Sequence, residues 1–252
     1  MKKQKWVVCG DQHCPWHDTT VHTAFLRFLK LYKPDGIIVN GDLLDCYSVS
    51  RHLTGAMDLE MADKTMISLE KEVIPANDVL EDYDQFLPKI CKKVFLYGNH
   101  EDRLRRFSSQ GLNSALGNLL NPRRLLNLDK RGYEVIEDYP SGYYSLGRLQ
   151  VAHGSRATMN ASKAILDEYR HSIANNHTHT SQLTYVGGIG VKQIGICIGC
   201  MCDMQSQGMR YQKNTGRWVH SWLAVTVERD GEFFPELVLG YNKRFYFGGK
   251  EI

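Results

Sequence analysis

Apolar residues along this chain follow two rhythms. Short β-branched runs stop abruptly at polar turns that contain glycine: "KWVVCGDQH", "DGIIVNGDLLD", "KVFLYGNHEDR" and "RLQVAHGSR". Each reads as a strand of about five residues. Between the first two, "TTVHTAFLRFLKLYKPD" sets Ala24, Phe25, Phe28, Leu29 and Tyr32 at helical spacing, and Pro34 marks the stop. The opening is therefore β-α-β, the pattern of an α/β fold with a largely buried sheet. Residues 58–90 are predicted helical, in two stretches ("MADKTMISLEKEV" and "ANDVLEDYDQFL") interrupted by Pro75. The second half alternates strands, "YYSLGRLQVAHG", "SQLTYVGG", "VKQIGICIGC" and "SWLAVTVERDGEFFPELVL", with "RDGE" as a hairpin turn. No repeat or linker intervenes, so the expectation is one domain, residues 1–252, of two packed sheets with helices outside.

Composition narrows the class without deciding it. Apolar content of 42 % and charged content of 23 % are ordinary for a globular chain, and 252 residues can bury a sizeable core. A net charge of +3 is too small to declare a nucleic-acid or membrane partner. No apolar run approaches the ~20 residues of a membrane span, and "MKKQKWVVCGDQH" lacks the apolar region and cleavage site of a signal peptide. The expected location is the cytoplasm. From Asp58 to Asp84, nine acidic residues face two lysines, which reads as a solvated helical face; from Glu101 to Arg131, seven basic residues face three acidic ones. Seven cysteines without repeated spacing argue against a disulfide framework. Cys197, Cys200 and Cys202 in "GICIGCMCD" cluster, but a closed zinc site needs a fourth ligand. In an apolar, strand-like run they are expected to fill the core as small hydrophobes.

The chemistry lies where the strands end. The first run stops at Asp11 and His13, the second at Asp42, the third at Asn99 and His100, and "LQVAHG" at His153. Open α/β sheets bind ligands beyond the carboxyl ends of their strands. "SIANNHTHTSQ" adds His177 and His179 in alternation. Singly, Asp11 could form a turn, Asp42 cap a helix, Asn99 take a left-handed turn and His153 fill a strand end. Together they make two Asp, one Asn and four His as ligands, with His100 left over. Carboxylate, imidazole and amide oxygen suit borderline divalent ions, and neither a pure oxygen calcium cage nor a thiolate site. Paired ions ~3.5–4 Å apart suit phosphoester cleavage, in which a hydroxide held between them attacks phosphorus.

In order, "GDQH", "NGD", "GNHE", "AHG" and "NHTH" resemble the five blocks of the calcineurin-like metallophosphoesterases, over residues 10 to 179. The tail, through "GCMCD" and "WVHSWLAVTV", resembles more weakly a subgroup common in phage and prophage genomes, which would place the protein in a host cytoplasm. The resemblance implies a four-layer α/β/β/α sandwich of two mixed β-sheets flanked by helices. It implies that Asp11, His13 and His179 hold one metal, that Asn99, His153 and His177 hold the second, and that Asp42 bridges them. The two divalent ions would be manganese first, with iron, zinc, nickel or cobalt as alternatives. His100 would contact the scissile phosphate and assist the leaving oxygen, and Glu101 would orient His100 or a ligand imidazole. The last block usually begins with glycine. Here Asn176 stands in its place, which marks that turn for strain or a narrowed pocket.

For the substrate, the candidates are His17 and Asp18 beyond the first block, Arg51 and His52 beyond the second, and Arg103 in "GNHEDRLRR", with Arg105 and Arg106 read as solvated helix. Serine/threonine phosphatases of the superfamily carry G-D-x-x-D-R-G, and Cys46 occupies the arginine position here, which counts against a protein phosphatase. A phosphodiesterase on nucleotides or nucleic acid is the first reading. A monoesterase on a small substrate is the second, and a non-catalytic scaffold the third, disfavoured because no ligand is missing. A monomer or small homo-oligomer without a membrane partner is expected.

Overall fold

The structure, a computed structural model, describes residues 2–50, 68–110, 117, 119–188, 191–209 and 215–252. Its described strands form two sheets. The larger contains β1 (Gln4–Cys9), β2 (Gly36–Asn40), β3 (Lys92–Leu96), β4 (Tyr133–Ile136), β10 (Ser221–Val227), β11 (Phe233–Tyr241), β12 (Arg244–Phe247) and β13 (Lys250–Glu251), in the order β13-β12-β11-β10-β1-β2-β3-β4. β1 to β4 run parallel, while β10 joins β1 antiparallel and starts the C-terminal meander. The smaller contains β5 (Tyr144–Leu146), β6 (Leu149–Ala152), β7 (Ile173–Asn175), β8 (Gln182–Gly188) and β9 (Val191–Cys197), in the order β5-β6-β7-β9-β8. "RDGE" makes the turn between β10 and β11.

Strand alternation explains the layering. In β1, Trp6 and Val8 join Ile38, Val94, Leu223 and Val225 against Val151, Ala174, Ile194 and Ile196 of the smaller sheet. The intervening Val7 and Cys9, with Ile37, Val39 and Phe95, turn the other way onto Phe25, Phe28, Leu80 and Tyr83. Both faces are buried, which is why these strands are apolar at consecutive positions. The first helix, α1 (Thr19–Tyr32), buries all five residues of the predicted stripe. On the far side, Ile165 and Leu166 of α4 (Ala161–Tyr169) cover Ala152 and Ile173. The result is a mixed α/β sandwich in four layers, helix, sheet, sheet, helix.

Two local expectations change. Pro75 does not interrupt its segment: α2 (Leu69–Phe86) runs straight through it. Proline removes one intrahelical hydrogen bond, but Ala76, Val79, Leu80 and Tyr83 are buried, and that packing outweighs the loss. Of the rest of the predicted helical stretch, 58–67 lies outside the described residues, and 87–90 is a turn and not helix, the chain leaving the helix at Leu87 just before Pro88. Nor is the acidic run wholly solvated. Glu72 is fully buried and accepts from the backbone N–H groups of Tyr47 and Ser48, at 3.2 and 2.9 Å.

Candidate metal centre

The site is assembled by backbone that departs from regular strand as soon as each strand ends. Asp11, His13, Asp42, His177 and His179 all take positive φ, 54°, 51°, 53°, 68° and 57°. Non-glycine residues avoid this region, so their clustering here is a local strain. It is held by lacing between loops. Asp11 N–H donates to the Gly41 carbonyl (3.1 Å), His13 N–H to the Asp42 carbonyl (2.9 Å), and His177 N–H to Asp11 Oδ2 (2.9 Å). Gly98 has an ordinary φ but no room for a Cβ, because the Asp42 carboxylate lies against it. Directly after it begins α3 (Asn99–Ser108), whose first-turn His100 N–H donates to Asp42 Oδ1 at 2.9 Å. The helix start thus supplies both an amide and a favourable dipole to that carboxylate.

The predicted donors meet in two adjoining groups. In the first, His13 Nε2 lies 3.1 Å from His179 Nε2, and Asp11 Oδ2 lies 3.6 Å from His179 Nε2. In the second, Asn99 Oδ1 lies 2.8 Å from His177 Nδ1 and 3.1 Å from His153 Nε2. Asp42 stands between them, its Oδ2 3.2 Å from His153 Nε2 and 4.0 Å from His13 Nε2. His100 is beside both groups, with Nε2 3.8 Å from Asp42 Oδ2.

Protonation follows from burial and from Asp42. Burial drives the imidazoles of His13 and His179 below the usual range, and that of His177 down to about 4, helped by the charge of His153. Burial acts the same way on His153 and His100. There the Asp42 carboxylate overturns it, and they rise to about 10 and about 9. Burial lifts the carboxyl of Asp11 well above the carboxylate range, while the charges of His153 and His100 more than cancel the same effect on Asp42, which falls well below it.

These residues fit divalent ions. His153 Nδ1 is committed to the Asn40 carbonyl at 2.7 Å, so its Nε2 points at two oxygens, Asn99 Oδ1 and Asp42 Oδ2. Three electron-rich atoms facing one another need a proton or a cation between them. Asp11 Oδ1 is buried without a hydrogen-bond partner, and in the first group two imidazole nitrogens converge with a carboxylate. Ligand imidazoles are usually steered through their second nitrogen. Here Asn40 steers His153, and the Asp45 carboxylate steers His13 through Nδ1 at 3.0 Å.

Asp45 is the residue the sequence reading missed. Fully buried, it touches His13 and also His100 Nδ1 at 3.3 Å, while its own carbonyl accepts from His100 Nδ1 as well. The signal was its place three residues after Asp42, in "GDLLD". Glu101, by contrast, steers no imidazole. It accepts from the backbone N–H groups of Asp42 (2.8 Å), Gly98 (2.9 Å) and Leu44 (3.1 Å), and so shapes the Asp42 loop.

A cavity of about 270 Å³ opens over these groups, lined also by Tyr47, Ser50, Arg103, Ala157, Thr178 and Trp218. Arg103 is anchored through Nη1 to the carbonyls of Asp45 (3.3 Å) and Cys46 (3.4 Å), with Nη2 3.4 Å from His100 Nε2. Trp218 stands edge to face against His179, ring centres 4.1 Å apart. His17 is not brought to this cavity: its ring lies beside His22 (5.8 Å) and the Cys14 sulfur (3.6 Å), under the start of α1. Asp18 caps that helix, accepting from Thr20 and Val21 N–H, and pairs with Lys243. Arg51 and His52 lie outside the described residues.

Asn176 is not the strained residue of its turn; the positive φ falls on His177 and His179. Its buried amide bridges the sheets instead, accepting from Asn40 Nδ2 (2.9 Å) and donating to the Gly199 carbonyl (3.0 Å), and it does not line the cavity.

Comparison with known structures gives distant likenesses. They include a Vps29 single mutant from Entamoeba histolytica (12 % identity, 94 % of this chain and 99 % of that one, TM-score 0.42) and Vacuolar Protein Sorting 29 from Cryptosporidium parvum (11 %, 96 % and 100 %, 0.43). A third is the nuclease MPE of Pseudomonas putida (13 %, 92 % and 87 %, 0.38). At such identities and scores none of them bears on function. A search of curated proteins found no match. The sequence itself matches the calcineurin-like phosphoesterase family over residues 5–187, which cover every residue of both donor groups. This chain belongs to the calcineurin-like phosphoesterase family.

Proposed function

We propose that this protein is a metal-dependent phosphodiesterase acting on nucleotides or nucleic acid. The observation that carries the reading is the convergence of seven donors, five of which line one cavity together with His100 and Arg103. In this reading Asp11, His13 and His179 hold one divalent ion, Asn99, His153 and His177 a second, and Asp42 lies between, with manganese the first choice and iron, zinc, nickel or cobalt of matching chemistry. When bound, such ions supply an activated water and neutralise charge on the phosphoryl oxygens. His100, with Nδ1 turned to Asp45, offers Nε2 to the cavity and gives its proton to the leaving oxygen. Arg103, fixed by two backbone carbonyls, orients the phosphate.

Charge favours a diester. Arg103 is the one arginine lining the cavity among the described residues, which suits the single charge of a diester better than the dianion of a monoester. Size favours a short substrate. Much of the basic stretch is spent internally: Arg105 and Arg106 on Asp102, Arg123 on Asp129 and Glu137, Arg131 on Glu81 and Asp84. Among the described residues, that leaves fewer cations for a polymer backbone, which puts nucleotides ahead of nucleic acid. The same reading takes residues 1–252 as one cytoplasmic domain, a monomer or small homo-oligomer. The test is turnover of bis-p-nitrophenyl phosphate against p-nitrophenyl phosphate by manganese-loaded protein, with and without chelator. Higher kcat/KM for the diester, abolished by chelator, is expected; a clear monoester preference would sink the diesterase reading.

A further inference from the structure

The cysteines of "GICIGCMCD" divide in the fold. Cys197 ends β9, whereas Cys200 and Cys202 lie beyond the strand, on a loop stitched to the candidate centre. Cys200 N–H donates to the Val219 carbonyl (3.0 Å), Val219 N–H to the His179 carbonyl (2.9 Å), and Met201 N–H to the Asp11 carbonyl (3.1 Å). His220 closes the far side, with Nε2 2.9 Å from the Cys202 carbonyl. Both thiols are fully buried and free, packed with Met209 and edged by Trp16 and Trp218. One ring nitrogen of His179 and the two sulfurs all lie within 4.8 Å of one another. His179 is 4 % exposed, its Nε2 is turned to His13 and Asp11, and its Nδ1 is buried without a hydrogen-bond partner. The nitrogen left for the thiols is therefore Nδ1.

We infer that Cys200, Cys202 and His179 form a second kind of metal site, one for a thiophilic divalent ion such as zinc or cadmium, sharing His179 with the centre described above. Two sulfurs and one imidazole nitrogen form a softer donor set than the imidazole, amide and carboxylate groups next door, and thiophilic ions favour it. Binding replaces two S–H bonds by two sulfur–metal bonds and releases two protons to solvent, with no electron transferred. A neutral imidazole has one lone pair. When Nδ1 takes the thiophilic ion, Nε2 carries the proton, and His179 is lost to the ion beside Asp11 and His13. The two occupancies therefore exclude one another, a consequence that rests on the ligand roles proposed above. A cell flooded with zinc or cadmium would shut the centre from behind, without competing for its oxygen donors.

The experiment adds cadmium ion to manganese-loaded protein and follows two readouts: the ultraviolet sulfur-to-cadmium charge-transfer absorption, and free manganese by electron paramagnetic resonance. One thiolate-bound cadmium per chain with release of one manganese is expected. Cys200→Ser and Cys202→Ser should each lose the absorption, while Cys197→Ser keeps it. No absorption in the unmodified protein, or an absorption that survives in both variants, overturns the site. Absorption without manganese release keeps the thiol site and overturns the mutual exclusion of the two occupancies. If a serine variant does not fold, cadmium nuclear magnetic resonance on the unmodified protein distinguishes sulfur ligation from oxygen and nitrogen ligation, and a signal of oxygen and nitrogen alone overturns the proposal.

Discussion

The five histidines of the candidate centre fall into two sets. His13, His177 and His179 sit on strained turns and are pushed toward the neutral form; His100, on the first turn of a helix, and His153, at the end of a strand, are held up at about 9 and about 10. Burial does not separate the sets, since His13 and His179 are as enclosed as His100 and His153. Distance to Asp42 singles out His153, 3.2 Å from its Oδ2. His100 and His13 lie at nearly equal distances, 3.8 and 4.0 Å, and between these two it is the charge of His100 that helps hold His13 down. The first set is already in the form that binds a cation, while His153 must give up a proton to do so. The carboxylates of Asp42 and Asp45 thus set the two raised imidazoles apart from the three that burial leaves neutral.

The strongest way to break this comparison is His153→Ala. We expect loss of one metal equivalent and a fall in kcat of about 100-fold or more, read by metal analysis and steady-state kinetics. Full metal content in that variant would contradict the ligand role. Next comes Asp45→Asn, which touches one member of each set. A fall of about 10–100-fold is expected. Without the Asp45 charge His100 loses its proton at lower pH, so the alkaline limb of the rate profile should move down; an unmoved limb would remove Asp45 from the acid's control.

The third test is thermal. His153 and His100 have raised folded-state values, so in metal-free protein their contribution is full below about 6.5, the ordinary histidine value, and is lost as pH rises through about 9 to 10. Metal binding instead strengthens as the proton on His153 leaves. The Tm gap between manganese-loaded and metal-free protein should therefore widen between pH 7 and pH 9.5, by at least about 4 °C. A gap that narrows would mean His153 is not the proton that metal displaces. Smallest is His171→Ala, whose ring contacts only the Ser172 carbonyl (3.1 Å) among its described hydrogen bonds; activity should change less than about 2-fold. An effect equal to that of His153→Ala would mean the donor set has been misread.

Much of this was legible in the residues. Apolar runs ending at Asp11, Asp42, Asn99 and His153 located both the parallel strands and the edge where the site lies, because both-face burial makes such strands continuous and their ends abrupt. What escaped depends on how loops fold back. Asp45 gained its role only when the turn after Asp42 brought it against His13 and His100. Cys200 and Cys202 looked like strand because the apolar run continues past Cys197, and no local pattern marks where pairing ends. Glu101 and His17 were misjudged for the same reason: adjacency in sequence fixes which loop a side chain starts from, and not which way it turns.

The left-handed backbone at Asp11, His13, Asp42, His177 and His179 has a consequence for how the protein can change. Each such residue carries roughly 1–3 kcal/mol of conformational cost that glycine would not. Five of the seven candidate donors are therefore places where a substitution that removes a functional group also relaxes the chain. Selection for stability alone would drift toward glycine there and erase the centre. At Asp11 and Asp42 the cost is partly offset by the loop amides their carboxylates accept, so the three histidines are the donors where glycine would relax the chain most.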